Sequence, residues 1–176
     1  MTDTCRTILQ AMIGAIAWVT VTAHSANADR ALEGWTRSFF ERYSEFDGSH
    51  LSFYADDAVL TDVFLGLELA SKVEITDTYR VAAERYENVH FQVAAVAVES
   101  LVDAQDNPPA QPIQGTAVVR GQVTGSVAGI EFDLPFVTWL ELRQGRIKRQ
   151  WDYVDYTTLA ARLAETQAAE MPPEDH

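Results

Sequence analysis

The sequence predicts an α+β domain in which helices come first and a curled sheet follows. Up to about Tyr86 the apolar residues recur at three- and four-residue spacing, and from His90 onward they alternate or run together at strand lengths. Turn signals rich in Gly and Pro divide the second half at short intervals, without the strand-helix alternation of a parallel sheet. The 176 residues are 47% hydrophobic and 22% charged, which is one ordinary globular domain, long enough to bury a core without a disulfide or metal.

The N-terminus reads as an address. Thr7 to Ala28 contains no Asp, Glu, Lys or Arg; its apolar heart is Ile8 to Val21, Arg6 precedes it, and Ala26-Asn27-Ala28 places small residues before Asp29. This is the layout of a secretory signal over residues 1–28, cleaved after Ala28, with the product periplasmic or secreted. The alternative is a chain anchored in the membrane by its N-terminus, although the apolar heart is shorter than the roughly 20 residues of a spanning helix. Cleavage would leave nothing for stable membrane insertion. The only cysteine, Cys5, would go with the signal, leaving no disulfide, thiol nucleophile or cysteine metal site.

The domain then occupies 29–170, followed by a short polar tail at 171–176. Leu32, Trp35, Phe39, Tyr43 and Phe46 mark one face of a helix from Asp29 to Phe46. Asp47-Gly48 breaks it, and His50 to Tyr54 reads as one helical turn. Asp56-Asp57 is assigned to turn chemistry, and Val59 to Phe64 to a short strand that Gly66 ends. Ser71 with Glu74 three residues later is a capping box, opening a helix that runs to about Tyr86. Strands are expected over His90 to Val102, Ile113 to Thr124, Ile130 to Leu142 and Ile147 to Tyr156. Asp106-Asn107-Pro108-Pro109, Gly125 to Gly129 and Gln144-Gly145 separate them, and a last helix covers about Tyr156 to Ala169. A sheet curling over one long helix encloses a conical apolar cavity, for which Trp35, Phe39, Phe136, Trp139 and Trp151 supply aromatic surface.

The charge narrows the function. Thirteen Lys plus Arg against 26 Asp plus Glu give −13, which repels phosphate backbones and anionic lipid, so nucleic acid is excluded as a partner. His50 and His90 lack the spacing of a metal-ligand pair, and phosphate loops and Ser-His-Asp signatures are absent. No metal and no cofactor is implied.

Phe53-Tyr54-Ala55-Asp56-Asp57-Ala58 through Asp62, Phe64 and Gly66 resembles the first motif of the nuclear transport factor 2-like superfamily. Gln144-Gly145-Arg146-Ile147 followed by Trp151-Asp152-Tyr153-Val154-Asp155 resembles the ending of its SnoaL-like members. The resemblance covers Asp29 to about Ala164. It implies a cone-shaped, curved antiparallel or mixed sheet wrapped around a long N-terminal helix, and a fold that hosts isomerases, cyclases, epoxide hydrolases and non-catalytic binders.

Three templates of that superfamily place the candidate residues. Asp62 matches the general base of ketosteroid isomerase, whose Tyr position falls at Phe39, with Tyr43 one turn later, and whose second Asp position falls at Val137; that donor pair is not reproduced. Arg120-Gly121-Gln122 with Asp152 resembles the Asp-Arg-Asp constellation of limonene epoxide hydrolase, with Gln122 able to orient a water but not to take its proton. Asp152 resembles the acid/base Asp of the SnoaL-type polyketide cyclases, the template no missing residue contradicts. The catalytic candidates are therefore Asp152 and Asp62, and the ligand-binding candidates Arg120, His90, Gln122, Trp35, Phe39, Tyr43 and Trp139. The expected function is binding of a small hydrophobic, oxygenated molecule, with cofactor-free proton transfer by an Asp. A non-catalytic binding or protein-interaction module is the alternative, and a homodimer a further expected partner state.

Overall fold

The computed structural model describes residues 26–101 and 112–170, with side chains to 166. The expected signal (apart from its last three residues), the Asp106–Pro109 loop and the tail at 171–176 lie outside the described residues. Helix α1 runs over 26–45, and a 3₁₀ turn over Ser49–Phe53 leads into β1 (Tyr54–Asp62). There follow β2 (Leu67–Leu69), α2 (Lys72–Ala83), β3 (Tyr86–Ser100), β4 (Gly115–Val127), β5 (Ile130–Arg143), β6 (Arg146–Val154) and α3 (Thr157–Glu170). The six strands form one sheet in the order β2-β1-β6-β5-β4-β3. Only β1 and β6 run parallel; the other neighbours are antiparallel.

Helix α1 forms for the reason its spacing suggests. Leu32, Phe39 and Phe40 are fully buried, and Phe40 stacks on Phe136 of β5 at 5.4 Å. Burying each such side chain is worth about 1.5–3 kcal/mol. Ser44 ties the helix to the outer strand: its Oγ accepts from the Phe91 N–H (3.0 Å) and donates to the Phe91 carbonyl (3.2 Å). This occupies backbone groups that a free sheet edge would expose. Helix α2 starts as expected: the Ser71 Oγ accepts from the Glu74 N–H (3.2 Å), while the Glu74 carboxylate accepts from the Ala70 N–H (2.8 Å).

The sheet curls because its ladder is interrupted. Strand β3 is irregular between Glu87 and His90 and again between Val93 and Ala95, and Asn88 sits at φ 54°. Opposite the second break lies Gly121, where a Cβ would stand 2.1 Å from the Gln92 carbonyl oxygen and 2.8 Å from the Phe136 ring. The hairpins close on two-residue turns, Ala128-Gly129 (φ 50° and 73°) and Gln144-Gly145 (φ 53° and 69°), whose positive φ pairs match the strand twist.

Four expectations change. Asp56 and Asp57 belong to β1, not to a turn, and Asp57 pairs with Lys148 of β6. Gly66 turns the chain into the short strand β2, which propensity alone did not reveal. Gly125 lies inside β4, with the turn three residues later. Helix α2 stops at Ala83, and Tyr86 already begins β3. Among the described residues no helix is long and apolar enough to cross a membrane.

Candidate functional site

The concave face of the sheet, closed by the end of α1, the 3₁₀ turn and α2, encloses a cavity of about 230 Å³. Two larger grooves, of about 720 Å³ along β5 and α3 and about 420 Å³ between α1 and β3, lie open on the surface. The interior cavity is the candidate site because the buried titratable groups converge there. Asp62, Asp152, Tyr43, Tyr54, Tyr156 and His50 all line it. Leu65 on the β1-β2 connection and Thr78 of α2 are exposed residues of its lining.

Asp62 and Asp152 are register partners on the parallel strands β1 and β6, so their side chains stand next to each other on the inner face. What turns Asp152 inward is a bulge. The β5-β6 register shifts between Glu141, paired with Arg149, and Leu142, paired with Ile147, so Lys148 is an extra residue. Beyond it Gln150, Asp152 and Val154 face in, and Arg149, Trp151 and Tyr153 face out.

Asp152 is half-buried and fully engaged. One carboxylate oxygen accepts from the Thr138 hydroxyl (2.6 Å), and the other from the Gln150 side-chain N–H (2.7 Å). The Gln150 amide is oriented by the buried Tyr54 hydroxyl, which donates to its oxygen at 2.6 Å. Burial pushes the Asp152 carboxyl up to about 6 against the lowering effect of the two donors, and the neighbouring Asp62 carboxylate adds to the rise. Asp62 itself is 7% exposed. It closes the turn after β1 by accepting from the Leu65 N–H (3.0 Å), and the Tyr156 hydroxyl approaches its other oxygen at 3.4 Å. Burial, with the two aspartates nearby, holds the Tyr43 and Tyr156 phenols protonated well above their ordinary range.

Of the residues singled out from sequence, Asp62, Asp152 and Tyr43 meet in this cavity. Phe39 is wholly buried core, and Trp35 is half-buried against Phe39 and Phe53; neither lines the cavity. His90 is exposed in the groove between α1 and β3, because the irregularity at Asn88 turns Val89 inward and the next side chain out. Arg120 and Gln122 are exposed on the convex face, since Ala117, Val119 and Val123 take the inner positions of β4. Trp139 shares that face with Glu141 and is 47% exposed. The Arg120-Gln122-Asp152 constellation is therefore not assembled.

Conversely, the cavity presents His50, Tyr54, Thr138 and Tyr156, which were not singled out from sequence, and the buried Gln150 supports Asp152 without lining it. The two-residue spacing of Gln150 and Asp152 was the one legible signal, because it puts both on one strand face. Among the described residues no cluster of three or more His, Cys, Asp or Glu stands close enough to hold a metal.

The long helix lying in a curled six-stranded sheet has counterparts of known structure. A Shewanella putrefaciens protein assigned as a SnoaL-like polyketide cyclase superposes with a TM-score of 0.58 at 18% identity, over 76% of this chain and 96% of its own. This chain has the SnoaL-like fold. PrhC of Penicillium brasilianum shares it with a TM-score of 0.61 at 15% identity, over 81% of this chain and 94% of its own. The BvnE pinacolase of Penicillium brevicompactum does so with a TM-score of 0.57 at 13% identity, over 76% and 92%. No protein-family model and no curated protein sequence matches the chain. Identities this low speak for the SnoaL-like fold alone.

Proposed function

We propose that this SnoaL-like domain is a cofactor-independent acid-base catalyst acting on a small, apolar, oxygenated molecule, with Asp152 as the group that moves the proton. The observation that supports this is a carboxyl titrating near 6 inside an apolar cavity, next to a second carboxylate and protonated phenols. The cavity volume of about 230 Å³ is below the roughly 300–1,000 Å³ of drug-sized pockets, which suits a substrate of one or two rings. In the proposed step the Asp152 carboxylate takes a proton from a carbon next to a carbonyl. The C–H electron pair becomes the enolate double bond, the carbonyl π pair moves to oxygen, and the Tyr43 hydroxyl donates to that oxygen. Protonated Asp152 then returns the proton to the carbon skeleton.

The test is proton exchange at the acidic carbon of 2-tetralone in D₂O, followed by NMR. The wild type accelerates exchange, with a rate that rises through pH 6 and levels off. Asp152→Asn lowers it by about 10²-fold or more, and no acceleration by the wild type sinks the catalytic reading. A second reading is a ligand-binding module, favoured by one observation: both Asp152 oxygens already accept hydrogen bonds from the protein. In that case Asp152→Asn leaves the affinity for 2-naphthol unchanged.

The uncharged apolar run before Asp29 supports export with cleavage after Ala28, read out by the N-terminal sequence of the mature protein; retention of residues 1–28 in a membrane fraction would favour the anchored alternative. The convex sheet face supports a homodimer. Val118, Val137, Trp139 and Tyr153 are exposed on three adjacent strands, and Arg120, Glu141 and Arg149 on that face offer opposite charges to a two-fold related copy.

A further inference from the structure

His50 is 1% exposed, yet its Nδ1 has no hydrogen-bond partner. An unsatisfied buried polar atom is costly, on the order of a lost hydrogen bond, and is uncommon without a purpose. The ring is held firmly: it stacks on Tyr43 at 4.3 Å and 21°, and meets the Tyr79 ring edge-on at 4.3 Å. Tyr79 carries a second orphan, its buried hydroxyl, which the Gly48 backbone approaches without reaching hydrogen-bond geometry. Both side chains line the same cavity as the aspartates. They are set apart from them along the sheet, since His50 precedes the start of β1 and Asp62 closes its end.

We propose that the His50 Nδ1 and the Tyr79 hydroxyl form a second polar anchor in the cavity, built to take a hydroxyl group of the ligand. The substrate is then an apolar molecule with oxygen at two separated positions, one at the aspartates and one at this pair. Burial among aromatic rings pushes His50 down to about 4, so at neutral pH the imidazole is uncharged and has one donor and one acceptor nitrogen. In either tautomer the pair matches a hydroxyl. A bare Nδ1 accepts the ligand proton while the Tyr79 O–H donates to the ligand oxygen; a protonated Nδ1 donates while the Tyr79 oxygen accepts. With Nδ1 bare, a carbonyl or an ether, which has no proton to give, would satisfy only the Tyr79 hydroxyl.

This rests on the proposal that the cavity is a ligand site, and the experiment separates the two. Purified protein is titrated with 2-naphthol, which has one oxygen, and with the 1,5-, 2,6- and 2,7-naphthalenediols, whose second oxygen sits at different distances. At least one diol should bind about tenfold tighter than 2-naphthol, the effect of one well-made hydrogen bond. That advantage should vanish in His50→Phe and in Tyr79→Phe, with 2-naphthol affinity kept. Tyr79→Phe removes only an unpartnered hydroxyl, so it provides the answer if His50→Phe folds poorly. The ¹⁵N resonance of the His50 Nδ1 should move with the diol and stay in place with 2-naphthol. Diols that bind no tighter than 2-naphthol, or an advantage that survives both variants, overturn the anchor alone. Failure of every probe to bind overturns the anchor together with the ligand-cavity proposal.

Discussion

Asp152 carries the chemistry proposed here and, by the same physics, a stability cost. Its carboxyl titrates near 6 in the fold and near 3.8 when the chain is unfolded, so the folded state holds the extra proton between those values. The penalty is absent below about pH 4 and complete above about pH 6, at roughly 2 kcal/mol once the partial exposure of the side chain is allowed for. Asn in its place can still accept from Gln150 and can donate to the Thr138 hydroxyl. Asp152→Asn is therefore expected to melt a few degrees higher than the wild type at pH 7.5 and no higher at pH 4, which thermal unfolding at the two pH values would check. A lower melting temperature at pH 7.5 would mean that the Thr138 and Gln150 bonds outweigh desolvation.

The strands position the aspartates through their irregularities. Curvature comes from the breaks in β3 and from Gly121, which allows the Phe136 ring and the Gln92 carbonyl to close on β4. A methyl group there meets a backbone oxygen, which cannot rotate away as a side-chain tip would. Gly121→Ala should destabilise the fold by about 2–4 kcal/mol, seen as a lower urea midpoint at unchanged slope. Pro135 interrupts β5 at a tolerable place. The β6 ladder begins one residue later, at Phe136, so the missing N–H can face the side with no partner strand.

For the whole molecule, two ionisable groups of the cavity set opposing pH dependences. His50 is held uncharged down to about 4 against an ordinary value of 6.5, so its contribution is complete above pH 6.5 and is lost as the pH falls toward 4. Over almost the same interval acidification relieves the Asp152 penalty. The wild type should therefore change little in stability between pH 6.5 and 4. Asp152→Asn should lose about 2–3 kcal/mol across it, and His50→Phe should gain; urea unfolding at half-unit pH steps resolves the three curves. Assembly belongs at this level too. If the convex face joins two copies, Trp139→Glu should halve the mass measured by light scattering and leave 2-tetralone exchange unchanged, because that residue lies across the sheet from the cavity.

The architecture was legible in the chain because periodicity is a local property. The helix face from Leu32 to Phe46, the Ser71-Glu74 cap and the Gln144-Gly145 turn each depend on residues a few positions apart. The face of each strand was less legible, although Glu141, two positions after Trp139, already marked that side of β5 as the wet one. On β6, Ile147 faces inward, and simple alternation from it would carry Trp151 and Tyr153 into the cavity and leave Asp152 outside. The extra residue at Lys148 reverses that order, and the irregularity at Asn88 does the same to His90. Such bulges exist because neighbouring strands must stay in register while the sheet bends, a condition set between strands and not within one. Composition, charge, the order of elements and the two aspartates follow from the sequence alone. Their meeting in one cavity with His50 and Tyr79, while Arg120 and His90 face outward, follows from how the bent strands align.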